Sequence, residues 1–93
     1  MIRSIRHRGL RRFWTRGDAS GLHPDWTAKI GRLMDALDLA RKPQDLAITG
    51  TGFHALRGNL KGRYAMTVSR NWRLTFGWDG EDAIEVDLED YHG

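Results

Sequence analysis

From Ile84 to Glu89, apolar and acidic residues take strict turns: Ile84, Val86 and Leu88 alternate with Glu85, Asp87 and Glu89. A period of two marks a strand with one buried and one wet face. The same alternation runs through Trp72, Leu74, Phe76 and Trp78, which are separated by Arg73, Thr75 and Gly77, and through Tyr64, Met66 and Val68 within 63–69. Asp79-Gly80 between the last two runs is a hairpin signal. In the first half of the chain the period lengthens. Leu10, Phe13 and Trp14 sit at helical spacing within 7–16, and Gly17 stops that helix. Trp26, Ile30, Leu33, Met34 and Leu37 form one apolar stripe. They predict a second helix that opens at Pro24, a residue favoured at the first helical position, and runs to about Ala40. Pro43 prevents its continuation. Short strands are expected at 2–6 and 53–56, a connector at 43–52 and a turn at 58–62. The sum is an α+β sandwich: an N-terminal strand and two helices packed on a mainly antiparallel sheet.

The register of the last hairpin follows from the same pattern. If Trp72, Leu74, Phe76 and Trp78 share the core face with Ile84, Val86 and Leu88, even positions pair with even positions. The loop between them then holds an odd number of residues. Arg73 falls on the wet face, opposite Asp87 or Glu89.

A length of 93 residues predicts a single domain, 1–93. With 40% hydrophobic and 29% charged residues, the chain belongs to the globular class and not the disordered one. The absence of cysteine excludes a disulfide framework and a cysteine-bound metal. No apolar run approaches a membrane span, and the arginine-rich N-terminus does not read as a secretory signal, so a cytoplasmic location is expected. The net charge of +3 conceals an asymmetry. Before Asp79 there are 15 bases against five acids, a net of +10, whereas 79–90 carries seven acids and no base. Such a field attracts polyanions, and nucleic acid is the commonest. Six of the bases (Arg3, Arg6, Arg8, Arg11, Arg12 and Arg16) crowd the first sixteen residues with no acid among them.

Candidate chemistry collects at the end of the last strand, where Asp90, Tyr91 and His92 can all exchange protons or hydrogen bonds. The chain has four histidines, and histidine titrates near neutrality. His7 and His23 read as structural, His23 as a residue at a helix start.

Three blocks in order, Phe53-His54-Ala55-Leu56-Arg57-Gly58-Asn59-Leu60-Lys61-Gly62-Arg63-Tyr64, then Asn71-Trp72-Arg73-Leu74-Thr75-Phe76, then Glu89-Asp90-Tyr91-His92, resemble the HigB toxins. These belong to the RelE-like group of bacterial toxin–antitoxin systems. The resemblance extends over essentially the whole chain. It implies a microbial-ribonuclease-like sandwich and a metal-independent endoribonuclease that cuts messenger RNA in the ribosomal A site without a cofactor. It also implies neutralisation by a helix-turn-helix antitoxin, HigA, in a complex that represses its own operon. His54, Asp90, Tyr91 and His92 fall at the family's catalytic positions. Cleavage through the ribose 2′-hydroxyl needs a base, an acid and cations for the phosphoryl oxygens. On that scheme His92 and His54 carry protons, Asp90 orients a histidine, and Tyr91 hydrogen-bonds or stacks on a base. Arg73 steadies the phosphorane, since its planar fork suits phosphate oxygens. Arg57, Lys61 and Arg63 are placed to grip the RNA backbone, and Arg8, Arg11, Arg12 and Arg16 form a ribosome-binding patch. Two other classes fit the same pattern: a non-catalytic inhibitor that acts by binding, as the related ParE toxins bind DNA gyrase, and a plain nucleic-acid-binding module built on the arginine helix.

Overall fold

The computed structural model describes residues 1–91. Helix α1 covers Arg8–Arg16 and α2 covers Thr27–Leu39. Four strands come after them, β1 (His54–Ala55), β2 (Arg63–Thr67), β3 (Trp72–Asp79) and β4 (Asp82–Asp90), in one antiparallel sheet ordered β1-β2-β3-β4. The expected strand at 2–6 is an extended arm that runs parallel to β4. It meets that strand in two isolated bridges, Ile2 with Ala83 and Ile5 with Val86. Arg3 N–H donates to the Ala83 carbonyl at 2.8 Å and Arg6 N–H to the Val86 carbonyl at 2.7 Å.

Both helices lay their apolar stripes on one face of the sheet. Leu10, Ile30, Met34 and Leu37 are fully buried against Met66, Leu74, Phe76 and Val86. An aromatic ladder crosses the sheet within this core. Ring centroids lie 5.7 Å apart for Phe53 and Tyr64, 5.8 Å for Tyr64 and Phe76, and 6.2 Å for Phe76 and Trp78. Such spacings fall in the favourable range for aromatic pairs. Helix α1 is fixed at its start by His7, whose Nδ1 accepts the Leu10 N–H at 3.1 Å. That is an N-cap in the sense usually filled by serine or aspartate. Gly9 keeps α1 close to the loop after it: a Cβ there would stand 2.6 Å from the Gly21 carbonyl oxygen.

The second helix departs from expectation. His23 to Trp26 form a separate turn, in which Trp26 N–H donates to the His23 carbonyl at 3.0 Å, and the helix proper opens at Thr27 with Trp26 as its cap. Pro24 therefore begins the preceding turn and not the helix. The connector also carries structure. A short 3-10 turn spans Pro43–Leu46, and buried Thr51 ties it down, donating its hydroxyl to the Leu46 carbonyl at 2.8 Å.

The hairpin register holds at one end and fails at the other. Leu74 faces Leu88 and Arg73 faces Glu89, as even-with-even pairing requires. Nearer the turn, Trp78 faces Ala83 and Gly77 faces Ile84, and Asp79 pairs with Asp82 around a two-residue loop, not an odd one. The slip is absorbed by a bulge at Glu85, a non-glycine residue held at φ 49°. A bulge sets two residues against one and shifts the alternation of faces on either side of it. Ile84 is thereby turned away from the helices, and Ala83 takes its place in the core.

Candidate active face

The sheet surface opposite the helices can be built from the pairing. Side chains directly opposite one another in a sheet share a face. One row runs His54, Ala65, Thr75, Asp87; the next runs Thr67, Arg73, Glu89; a third runs Arg63, Gly77, Ile84. Three of the expected site residues, His54, Arg63 and Arg73, therefore share this face, drawn from three strands. Tyr91 joins them: its ring centroid lies 6.0 Å from the guanidinium carbon of Arg73, and its N–H is anchored to the Asn71 carbonyl. His54 is exposed, its Nδ1 3.1 Å from the Gly52 carbonyl oxygen.

Arg73 is half-buried, and its Nη1 donates to three carbonyls of the β2–β3 turn, those of Ser69 at 2.7 Å, Trp72 at 3.1 Å and Arg70 at 3.2 Å. One nitrogen is thus spent on the turn. It does not pack among Leu74 and Phe76, in keeping with its register. Arg63 lies over Gly77, where a Cβ would come within 3.7 Å of its Nη1. Its Nη2 donates to the Thr75 hydroxyl at 3.2 Å and to the Glu85 carbonyl, at the bulge, at 3.0 Å. Thr75 is fully buried and donates its own hydroxyl proton to Glu89 Oε2. Burial, and then the Glu89 charge, push the Tyr91 phenol above the ordinary tyrosine range, against the opposing pull of Arg63 and Arg73.

Other expected site residues lie elsewhere. Asp90 pairs with Trp72, so alternation puts it on the helix-side face at the end of β4. His92 lies outside the described residues. Arg57 and Lys61 are exposed around a depression of about 440 Å³ at the β1 edge, shared with Ala55, Leu56 and Tyr64. The arginines of α1 sit on the helical layer, a surface separate from the Arg63–Arg73 face. Arg8, Arg11 and Arg16 are exposed, whereas Arg12 is half-buried. Arg11 reaches back to the Ile5 carbonyl at 3.0 Å.

The N-terminal arginines do not all swell the basic field. Arg3 pairs with Asp79 and, at 3.5 Å, with Asp82; Arg6 pairs with Glu85 and, at 3.9 Å, with Asp87. Asp79, Asp82, Glu85 and Asp87 are thereby offset by the arm lying beside β4. Thr75 and Glu89 are the functional candidates that residue-by-residue reading missed. The available signal was a lone hydroxyl amid the bulky residues of β3, diagonal to Arg63 across the pairing with β2.

A small α+β sandwich with two helices packed on one face of a four-stranded antiparallel sheet is consistent with the RelE-like class of toxins. The family model of the RelE-like toxin of type II toxin–antitoxin system HigB matches residues 3–92. The chain belongs to that family. It is 34% identical over 92 residues to the Endoribonuclease HigB of Proteus vulgaris, covering 99% of this chain and all of that protein. It is also 37% identical over 59 residues to Toxin HigB-1 of Vibrio cholerae serotype O1, 62% of each chain. An antitoxin partner follows from membership of a type II system.

Proposed function

We propose that this toxin is an endoribonuclease that cleaves messenger RNA on the ribosome, and that a HigA-like helix-turn-helix antitoxin neutralises it. The observation that supports this reading is the convergence of His54, Arg63, Arg73 and Tyr91 on one sheet face, with Tyr91 against Arg73. Arginine forks recognise phosphate oxygens, and neutral imidazole accepts a proton at physiological pH. In the proposed reaction the ribose 2′-oxygen loses its proton to a histidine and attacks the adjacent phosphorus. The P–O5′ bond breaks, and a second proton carrier protonates the departing oxygen. The products are a 2′,3′-cyclic phosphate and a free 5′-hydroxyl. Arg73 and Arg63 balance the charge that grows on the phosphoryl oxygens. His54 is one proton carrier and His92 the other, with Tyr91 hydrogen-bonding or stacking on a base; Asp90, on the helix-side face at the end of β4, can align only the imidazole that follows it, that of His92. Arg57 and Lys61 flank the RNA path at the β1 edge. Arg8, Arg11, Arg12 and Arg16 grip ribosomal RNA from the helical layer, so one molecule contacts ribosome and message on two separate surfaces.

Mapping messenger RNA 5′-ends after induced expression tests the reading. Codon-phased cuts that disappear with His54→Ala and His92→Ala are expected. Intact messages with a supercoiling defect would replace it with the gyrase-inhibitor class.

A further inference from the structure

The Arg63 guanidinium is held from behind. Its Nη2 donates to two acceptors, the Thr75 hydroxyl at 3.2 Å and the Glu85 carbonyl at 3.0 Å. A threonine hydroxyl has one proton, and here that proton goes to Glu89 Oε2. Its lone pairs are then turned toward Arg63. The polarity of the chain is set by the carboxylate, which can only accept while ionised. The Glu85 carbonyl is available because the bulge at φ 49° takes that peptide out of regular pairing. Gly77 leaves the space above the sheet in which the guanidinium lies.

We propose that Thr75 and Glu89 are positioning residues that hold the Arg63 guanidinium in a fixed orientation as a phosphate-binding cation. The two acceptors engage Nη2 and fix the plane of the guanidinium. With both Nη2 protons taken, neither two-nitrogen edge of the guanidinium is free, and Nε and Nη1 remain as single donors to the oxygens of a phosphodiester. Preorganised donors stabilise developing charge without reorganising at the moment of reaction. Full burial of Thr75 keeps water from competing for its hydroxyl. For its substrate this inference rests on the ribonuclease reading above; the restraint on Arg63 does not.

Two measurements separate the inference from that reading. Nitrogen-15 NMR of the Arg63 guanidinium reports rotation of its Nη groups whether or not the protein cleaves RNA. Slow rotation is expected in the wild type, and faster rotation in Thr75→Val and Glu89→Gln. Free rotation in the wild type would overturn the inference. The second measurement is single-turnover cleavage on programmed ribosomes. Thr75→Val changes no charge and should lower kcat about tenfold with KM unchanged, while Thr75→Ser restores it. Glu89→Gln should lower kcat similarly yet bind RNA as tightly or more tightly, since a negative charge has been removed. On an Arg63→Ala background Thr75→Val should have no further effect. Proportional losses in kcat and folded fraction, unrelieved by serine, would reduce both residues to scaffolding and reject the proposal. Absent cleavage with a restrained Arg63 would instead remove the ribonuclease reading and leave the positioning of Arg63 standing.

Discussion

The Tyr91 ring centre lies 6.0 Å from the guanidinium carbon of Arg73, a cation–π separation that ties the end of β4 to the β2–β3 turn. Tyr91→Phe keeps the ring and removes the hydroxyl. It should change folding stability by less than about 0.5 kcal/mol, whereas Tyr91→Ala should lose about 0.5–1 kcal/mol with the cation–π contact. Chemical denaturation of the three proteins checks this.

The same phenol carries a pH prediction. Its pKa is raised, chiefly by burial and next by Glu89. The folded state therefore holds this proton to higher pH than the unfolded chain does. The associated stability is fully present below the ordinary tyrosine pKa and is lost as pH rises through the folded value. At neutral pH the group is a hydrogen-bond donor. Phenolate absorbance, read as wild type minus Tyr91→Phe, should titrate above free tyrosine. Glu89→Gln should bring that midpoint down.

Glu85 makes the bulge testable. A β-branched residue tolerates positive φ poorly, so Glu85→Val should destabilise by about 1–3 kcal/mol, while Glu85→Asn should be tolerated. Thermal unfolding of both variants decides. If valine is harmless, the conformation at 85 is not what sets the register.

Phe76 stands at the centre of the sheet, fully buried between Tyr64 and Trp78. Phe76→Ala should lower stability by about 3–5 kcal/mol, much of what a domain of this size has to spare. A loss under about 1 kcal/mol in denaturant titration would mean that the core collapses into the space.

The two sets of N-terminal arginines should behave differently toward ribosomes. Arg8 and Arg16 are exposed on α1, whereas Arg3 and Arg6 are engaged by acids of the hairpin and β4. Arg8→Gln and Arg16→Gln should each reduce the salt slope of ribosome binding by about 1. Arg3→Gln and Arg6→Gln should reduce it less. Equal slopes for both sets would dissolve the distinction.

Much of the architecture was legible because it depends on period alone. Alternation in 63–68, 72–78 and 84–89 located three strands, and the stripe from Trp26 to Leu37 located α2. It also put Arg73 on the outer face. What escaped was set by backbone events that leave side-chain pattern unchanged. The bulge at Glu85 carries no glycine to announce it, and it moved Ile84 out of the core and closed a two-residue loop. The turn at His23–Trp26 delays α2 by three residues from the expected Pro24, because its backbone bond and the His23 side chain satisfy groups a helix start would otherwise have filled. The resemblance singled out His54 and Tyr91, which share the outer face with Arg73, but had nothing to say about Thr75, whose contacts come from what lies across the strands. Nor could sequence foresee that Arg3 and Arg6 neutralise the last strand, since their partners stand some eighty positions away.

That distance has a bearing on assembly. The arm at 2–6 waits for β4 before it can dock, and β4 follows the other described strands in chain order. Arg73 and Tyr91 likewise meet only when β4 closes on β3. The docked arm and the Arg73–Tyr91 pair therefore both depend on the same strand being in place.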